Sequence, residues 1–238
     1  MNDKKILIII PAYNESGNIK RTVEEVDSLG LALTIFVVDD GSFDATAAEA
    51  KRAGAMVASL PFNIGIGGAV QTGFKYALKE GYDFAVQVDG DGQHDVSYLG
   101  KLLKPLISQE ADMVVGSRFL PPYLGYRSSF VRRIGIHFFA RLISFLTRVR
   151  ITDPTSGFRA YNKKLIKIFA SDYPQDFPEP EAVVLAKRFG AAVMEVPVQM
   201  RKRATGNSSI RYLVTLYYMV KVTFAVLLDM LKKKRKAE

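Results

Sequence analysis

Val86-Gln87-Val88-Asp89-Gly90-Asp91-Gly92-Gln93-His94-Asp95 reads as an apolar strand that runs straight into two carboxylates one residue apart. Open α/β sheets bind their ligands in the crevice outside the carboxyl ends of the strands. Two acids at such an edge repel each other unless a cation sits between them and something anionic. Hard cations such as Mg²⁺ are held by one or two carboxylates together with substrate phosphates. The stretch therefore reads as a metal–diphosphate site on Asp89 and Asp91. An Asp/Gly surface turn after a strand has the same local spelling, so the choice between the two depends on the rest of the chain.

On both sides of this stretch, short apolar runs alternate with longer helical patterns. Residues 6–11, 33–38, 56–59, 84–88 and 113–116 have strand character. Helical spacing covers 18–29, 44–53 (with Asp44 as N-cap), 67–79 and 97–108. Such alternation predicts an α/β fold with a mostly parallel central sheet, right-handed crossovers and helices on both faces. After Arg118 a Pro-Pro turn opens a region of long basic-apolar helices. We expect one catalytic domain over residues 1–209 and a separate apolar and basic segment over 210–238.

Composition narrows the function. A chain of 238 residues with 48% hydrophobic and 24% charged residues is globular. Cysteine is absent, which excludes a disulfide framework, a thiolate nucleophile and a zinc knuckle. The two histidines, His94 and His137, exclude a His-rich metal site. The N-terminal apolar run is too short for a secretory signal and reads as a strand. Net charge is +9, with the excess in residues 127–150 and 232–236. A basic surface fits nucleic acid or anionic lipid. Zinc-finger spacing and the aromatic-glycine motif of an RNA-recognition sheet are both missing, so no nucleic-acid partner is expected.

Other strand ends carry nucleotide-binding chemistry. The first ends in Pro11-Ala12-Tyr13-Asn14-Glu15 and the second in Asp39-Asp40-Gly41-Ser42, acids suited to ribose hydroxyls or a base edge. A dinucleotide dehydrogenase wants Gly-x-Gly-x-x-Gly after its first strand, and this chain does not have it. Asn63-Ile64-Gly65-Ile66-Gly67-Gly68-Ala69 follows the third strand without the Lys-Ser/Thr of a P-loop. It fits either a tight turn with close helix–sheet packing or direct nucleotide contact.

These motifs, in this order and with Val38-Asp39-Asp40-Gly41-Ser42-Phe43-Asp44, resemble the family 2 glycosyltransferases of GT-A (Rossmann-like) fold. Gly116-Ser117-Arg118, Asp153-Pro154-Thr155-Ser156-Gly157-Phe158-Arg159 and Arg203-Ala204-Thr205-Gly206-Asn207-Ser208 resemble its polyprenyl-phosphate branch, which includes the dolichyl-phosphate mannosyltransferases. The resemblance implies that Pro11, Ala12, Tyr13, Glu15, Asp39 and Asp40 line the nucleoside pocket. It implies Mg²⁺ or Mn²⁺ on Asp89 and Asp91, with Gly90 and Gln93 beside the donor. Arg118 with Arg132 or Arg133 would bind the acceptor phosphate, and Arg203 the donor diphosphate or the same charge cluster. Members of this kind invert the anomeric centre.

The acceptor can be argued from chemistry. A sugar hydroxyl needs a carboxylate base, whereas a lipid monophosphate, with a second pKa near about 6, arrives already charged. It needs orientation by arginine forks. Arg118, Arg127, Arg132, Arg133, Arg159, Arg201 and Arg203 fit that demand. Asp153 either orients those arginines, acts directly, or caps the turn before Pro154; Glu181 is a candidate base or only the first-turn acid of a helix. Without tryptophan the Gln-x-x-Arg-Trp signature of processive synthases is impossible. The expected activity moves a sugar from a UDP-hexose to a polyprenyl phosphate. The alternatives are transfer to a hydroxyl of a lipid-linked saccharide in cell-wall polysaccharide synthesis (from a dTDP-rhamnose-type donor) and a silent sugar-nucleotide sensor.

Residues 130–148 place Arg133, His137, Arg141, Ser144 and Arg148 on one stripe of an apolar helix. The pattern fits a helix lying in a membrane interface or one packed on the sheet with its stripe in solvent. Residues 212–231 are apolar, but Lys221 and Asp229 interrupt them, so no spanning helix is expected. Arg211, Thr215, Tyr218 and Asp229 share a face there, as a second interfacial helix or a docking surface. The expected location is peripheral, on the cytosolic face of the cell membrane. A small membrane protein or a second copy of the chain are candidate partners.

Overall fold

The aliphatic run Ile6–Ala12 forms a strand, β1, buried along its whole length, as a strand covered by helices on both faces must be. The computed structural model describes residues 4–122 and 130–201 together with Lys221, Thr223 and Phe224. Strands β2 (Thr34–Asp39), β3 (Met56–Ser59) and β4 (Phe84–Gln87) lie parallel to β1 in the order β3-β2-β1-β4. Helices α1 (Ile19–Asp27), α2 (Thr46–Arg52) and α3 (Gly65–Lys79) connect them. A 3₁₀ turn (Val96–Tyr98) and α4 (Leu99–Ile107) lead to β5 (Met113–Ser117).

The second half of the sheet departs from simple winding. After α5 (Phe130–Thr147), strand β6 (Arg159–Asn162) enters antiparallel between β4 and β5. Helices α6 (Lys163–Ser171) and α7 (Pro178–Arg188) precede β7 (Val193–Pro197), which pairs parallel with β5. The seven-stranded order is β3-β2-β1-β4-β6-β5-β7. The sheet is mostly parallel and flanked by helices, as expected for an α/β fold, with one reversed strand inside it.

Side-chain alternation divides the core between the two faces. Leu7 and Ile9 pack with Phe36, Val38, Phe74, Phe169 and Val183 under α3, α6 and α7. Ile6, Ile8 and Ile10 pack with Val37, Val23 and Leu102 under α1 and α4. Gly73 brings α3 onto β1 so closely that a Cβ there would lie 2.3 Å from Ile9 Cγ2.

Several element ends differ from the sequence reading. Asp44 does not cap α2 from the adjoining position, which Ala45 holds. Its carboxylate accepts the N–H groups of Thr46 (3.0 Å) and Ser16 (3.1 Å), tying α2 to the loop after β1. Helix α3 starts two residues early because Asp40 takes the N–H groups of Ile64 (2.8 Å) and Gly65 (2.9 Å). In α5, Ile136, Phe139, Ala140 and Ile143 are buried while His137 and Arg141 face solvent; Arg148, expected in the helix, lies exposed just past its end. Ser144 leaves the expected stripe: its hydroxyl bonds the carbonyl of Ala140 (2.6 Å) and accepts the N–H of Ile151 (2.9 Å). The outward face also exposes Ile134, Phe138 and Phe145. Among the described residues no helix is long and apolar enough to cross a membrane. Residues 210–238 lie outside the described residues save Lys221, Thr223 and Phe224, which are helical. Lys221 sits 3.6 Å from Asp176 and over the Phe177 ring.

Asp112, just before β5, joins three strands. Its carboxylate accepts from Asn162 Nδ2 (2.6 Å), the Ala192 N–H (2.8 Å) and Lys164 Nζ (3.3 Å). Burial raises its pKa, but these bonds outweigh burial and hold it below the ordinary carboxylate value. The native pKa being depressed, the stabilisation is full above the unfolded value of 3.8 and is lost as pH falls through the native one. Asp112→Ala should lower stability at pH 7 by about 2 kcal/mol. Urea denaturation should show that gap narrowing below about pH 4.

Candidate active site

A cavity of about 340 Å³ opens at the carboxyl ends of β1 and β4. Pro11, Ala12, Tyr13 and Glu15 line it after β1, with Asp40 after β2. Asn63, Gly65, Ile66 and Ala69 contribute from the start of α3, and Asp89, Gly90 and Asp91 from beyond β4. Asp40 reaches this wall already committed to the α3 N-terminus, where an acid is favoured by the helix dipole. Asp39 is buried behind the wall, and its Oδ1 accepts the Ser42 N–H at 3.1 Å. The loops after β1 and β2 are stapled together. Asn14 accepts from the Phe43 N–H and donates its own N–H to Ser42 Oγ; Glu15 donates its N–H to Thr46 Oγ1. Gly41 has φ +71°, and a Cβ there would lie 2.7 Å from the Phe62 carbonyl carbon, so only glycine lets the loop after β3 close against it.

Asp89 and Asp91 differ in environment. The Asp89 side chain is 29% exposed, yet its Oδ1 is covered and has no hydrogen-bond partner. Burial pushes its pKa up to about 6, against the opposing pull of Gln87, Arg118 and Arg159. His94 receives the Asp89 N–H on Nδ1 (3.2 Å), which places the neutral ring's hydrogen on Nε2, 3.4 Å from Asp89 Oδ2. Burial pushes the His94 pKa down to about 4, and the ring stacks on Phe158 at 5.0 Å. Gly157 closes over the carboxylate: a Cβ there would stand 2.6 Å from both Asp89 oxygens. No side chain fits at that position. Asp91 Oδ1 accepts the Gln93 N–H at 3.0 Å. Among the described residues no three acids or histidines form a closed metal cage. A covered carboxylate oxygen beside a second acid fits a divalent ion that takes its remaining ligands from bound phosphates.

Arg118 is held beside this edge, close enough to lower the Asp89 pKa. Its Nε and Nη2 donate to the two oxygens of Asp153 (2.5 and 2.6 Å), and Nη2 also reaches Thr155 Oγ1 (2.8 Å). Arg118 is 3% exposed and Asp153 not at all. Of the three roles open to Asp153 from sequence, orienting the arginine is the one that uses both of its oxygens.

A model of glycosyl transferase family 2 matches residues 7–169. The chain belongs to glycosyltransferase family 2. It is 32% identical to a UDP-N-acetylglucosamine–dolichyl-phosphate N-acetylglucosaminyltransferase of Methanococcus voltae, covering 84% of this chain and 86% of that one. It is 33% identical to the polyprenol monophosphomannose synthase of Mycolicibacterium smegmatis, over 86% and 80% of the two chains. Its branch is thus the polyprenyl-phosphate glycosyltransferases. A solved glucosyl-3-phosphoglycerate synthase from Mycobacterium tuberculosis, in complex with Mn²⁺, UDP and phosphoglyceric acid, superposes with TM-score 0.74. At 21% identity, over 98% of this chain and 81% of that one, it shares the GT-A fold.

This family 2 glycosyltransferase gathers Pro11, Ala12, Tyr13, Glu15, Asp40, Asp89, Gly90 and Asp91 into one cavity wall. Gln93 sits beyond it, donating Nε2 to the Arg201 carbonyl (3.4 Å) and accepting the Arg201 N–H (2.8 Å). Two arginines expected at the acceptor phosphate are used elsewhere. Arg159 is wholly buried and donates to the carbonyls of Ser156 (2.6 Å), Glu179 (2.6 Å) and Pro154 (2.8 Å). Arg201 pairs with Glu25 (2.6 Å) and Asp95 (3.2 Å). Glu181 stands in the first turn of α7 with Glu179, as the helix-acid reading expects. Arg127 and Arg203 lie outside the described residues, as do the side chains of Arg132 and Arg133. Sequence reasoning gave no role to His94, Gly157, Thr152 or Glu195. Gly157 stood inside a quoted motif, and only the approach of its backbone to Asp89 explains it.

Proposed function

We propose that this glycosyltransferase moves a sugar, with inversion, from a UDP-hexose to a polyprenyl phosphate at the cytosolic face of the cell membrane. The carrying observation is the buried Arg118–Asp153 fork beside the Asp89–Asp91 edge of the cavity. It spends a carboxylate on aiming a guanidinium, an arrangement suited to an attacker that arrives charged. The relatives of this chain that act on dolichyl phosphate and form a polyprenol monophosphomannose support the same acceptor class.

In this reading Tyr13 and Glu15 contact the nucleoside, Asp39 holds the loop after β2 behind them, and the loops around Asp40 and Gly65 shape the cavity. A Mg²⁺ or Mn²⁺ ion on Asp89 and Asp91, when bound, supplies Lewis-acid stabilisation to the departing diphosphate. Gly157 and His94 hold Asp89 in place from behind. Arg118 binds the acceptor phosphate and sets its oxygen in line with the anomeric carbon, the positioning and electrostatic terms that dominate such transfers. Arg132, Arg133 and Arg203 complete the anion-binding cluster. The outward face of α5, with Phe138, Phe145 and Arg141, and Arg148 just past it, meets the membrane interface, and residues 210–238 associate with the membrane, a small membrane protein or a second copy.

The test incubates the purified protein with Mn²⁺, radiolabelled UDP-hexoses and vesicles containing polyprenyl phosphate. Label should pass into the lipid phase, be released by mild acid, and fail to transfer in EDTA. An acid-stable product would point instead to a saccharide hydroxyl as acceptor.

A further inference from the structure

A hydrogen-bond chain of fixed direction runs past Arg118 and ends on a residue of another strand. Glu195, in β7, accepts the N–H (2.8 Å) and hydroxyl (2.7 Å) of Thr152 on Oε2, and the Asp153 N–H (2.8 Å) on Oε1. A carboxylate only accepts, so the single hydroxyl hydrogen of Thr152 is spent on Glu195. The 2.6 Å contact between Ser117 and Thr152 hydroxyls is then donated by Ser117. Ser117 Oγ in turn accepts the Phe119 N–H at 3.2 Å. Arg118, between them, donates its backbone N–H to Asp153 Oδ2 at 3.1 Å. Backbone and side chain of Arg118 are thus fixed by residues 152–153, and Glu195 fixes those.

We propose that Glu195 is a positioning residue for acceptor binding, setting the Arg118 fork through Thr152 and Asp153. The inference rests on the reading of Arg118 as the acceptor-phosphate residue. Asp153 alone could pair with an arginine in several geometries, because both side chains rotate. Glu195 removes that freedom by holding two consecutive backbone N–H groups. Parallel pairing of β5 and β7 places Glu195 opposite Val115, two residues before Ser117, which brings the carboxylate to the end of the strand that delivers Arg118.

Steady-state kinetics on the full chain, varying UDP-hexose and a detergent-dispersed polyprenyl phosphate separately, test the proposal. Glu195→Gln keeps the volume but turns one acceptor oxygen into a donor. It should raise the acceptor KM about tenfold, the size of one lost charge-assisted hydrogen bond, and leave the donor KM within about twofold. Thr152→Val should shift the acceptor KM the same way, and Thr152→Ser should restore it. If Glu195→Gln moves both KM values together, or lowers only the melting temperature, Glu195 is structural and the proposal fails. Arg118→Lys serves as the control for the underlying reading. Should it leave the acceptor KM unchanged, the acceptor assignment itself falls, and the positioning role with it. An effect of Arg118→Lys without one of Glu195→Gln overturns the positioning role alone.

Discussion

Asp91→Asn is expected to reduce sugar transfer by roughly a thousandfold while the fold survives, the loss typical of removing one electrostatic element from a transition state. Survival follows from geometry. Asp91 Oδ1 accepts the Gln93 N–H, and an asparagine carbonyl can do the same. The missing negative charge is what the substitution isolates. A thermal-shift comparison should then show Mn²⁺ with UDP raising the melting temperature of the native protein and not that of the variant, since a ligand of the folded state stabilises in proportion to its binding. Turnover within tenfold of the native protein would remove Asp91 from the metal site.

Arg118→Ala carries the largest expected stability loss. It strands Asp153, which has no solvent exposure, as a buried charge without its guanidinium. Breaking one side of a buried ion pair costs about 3–5 kcal/mol, a large fraction of the 5–15 kcal/mol that holds a typical domain together. The double replacement Arg118→Met with Asp153→Asn removes both charges and keeps an acceptor for the backbone N–H of residue 118. Chemical denaturation should find most of the stability recovered in the double variant, with transfer activity still absent. Recovery of activity together with stability would mean that Arg118 serves only the fold.

The cavity wall proposed to take the donor was legible because its residues sit at the ends of neighbouring parallel strands. Pro11 to Glu15, Asp40 and Asp89 to Asp91 each close a run of apolar residues, and parallel winding brings those ends together. The surroundings of Arg118, proposed to hold the acceptor, were harder to read. Strand β6 is four residues long, begins with a buried arginine, and runs against its neighbours. An arginine in a strand looks like surface or ligand chemistry, and nothing local reveals that three backbone carbonyls will satisfy it. Arg159 was accordingly expected at a phosphate. Glu195 escaped notice for a related reason. Two of its three partners are backbone N–H groups of a distant turn and the third is a single threonine hydroxyl, a set with no signature in the sequence. The amphipathic spacing of α5 gave the helix correctly, but spacing alone could not show that Ser144 turns inward to cap the following segment.

The reversed strand also ties the acidic edge of the cavity to the second half of the chain. Asp89 is laid down in the first half of the chain, but the glycine that seats it and the arginine that braces that turn belong to a segment made much later. Until β6 has slipped between β4 and β5, the acidic edge has no roof. A fragment ending before that strand is expected to leave Asp89 without its Gly157 cover and to bind the proposed sugar nucleotide poorly.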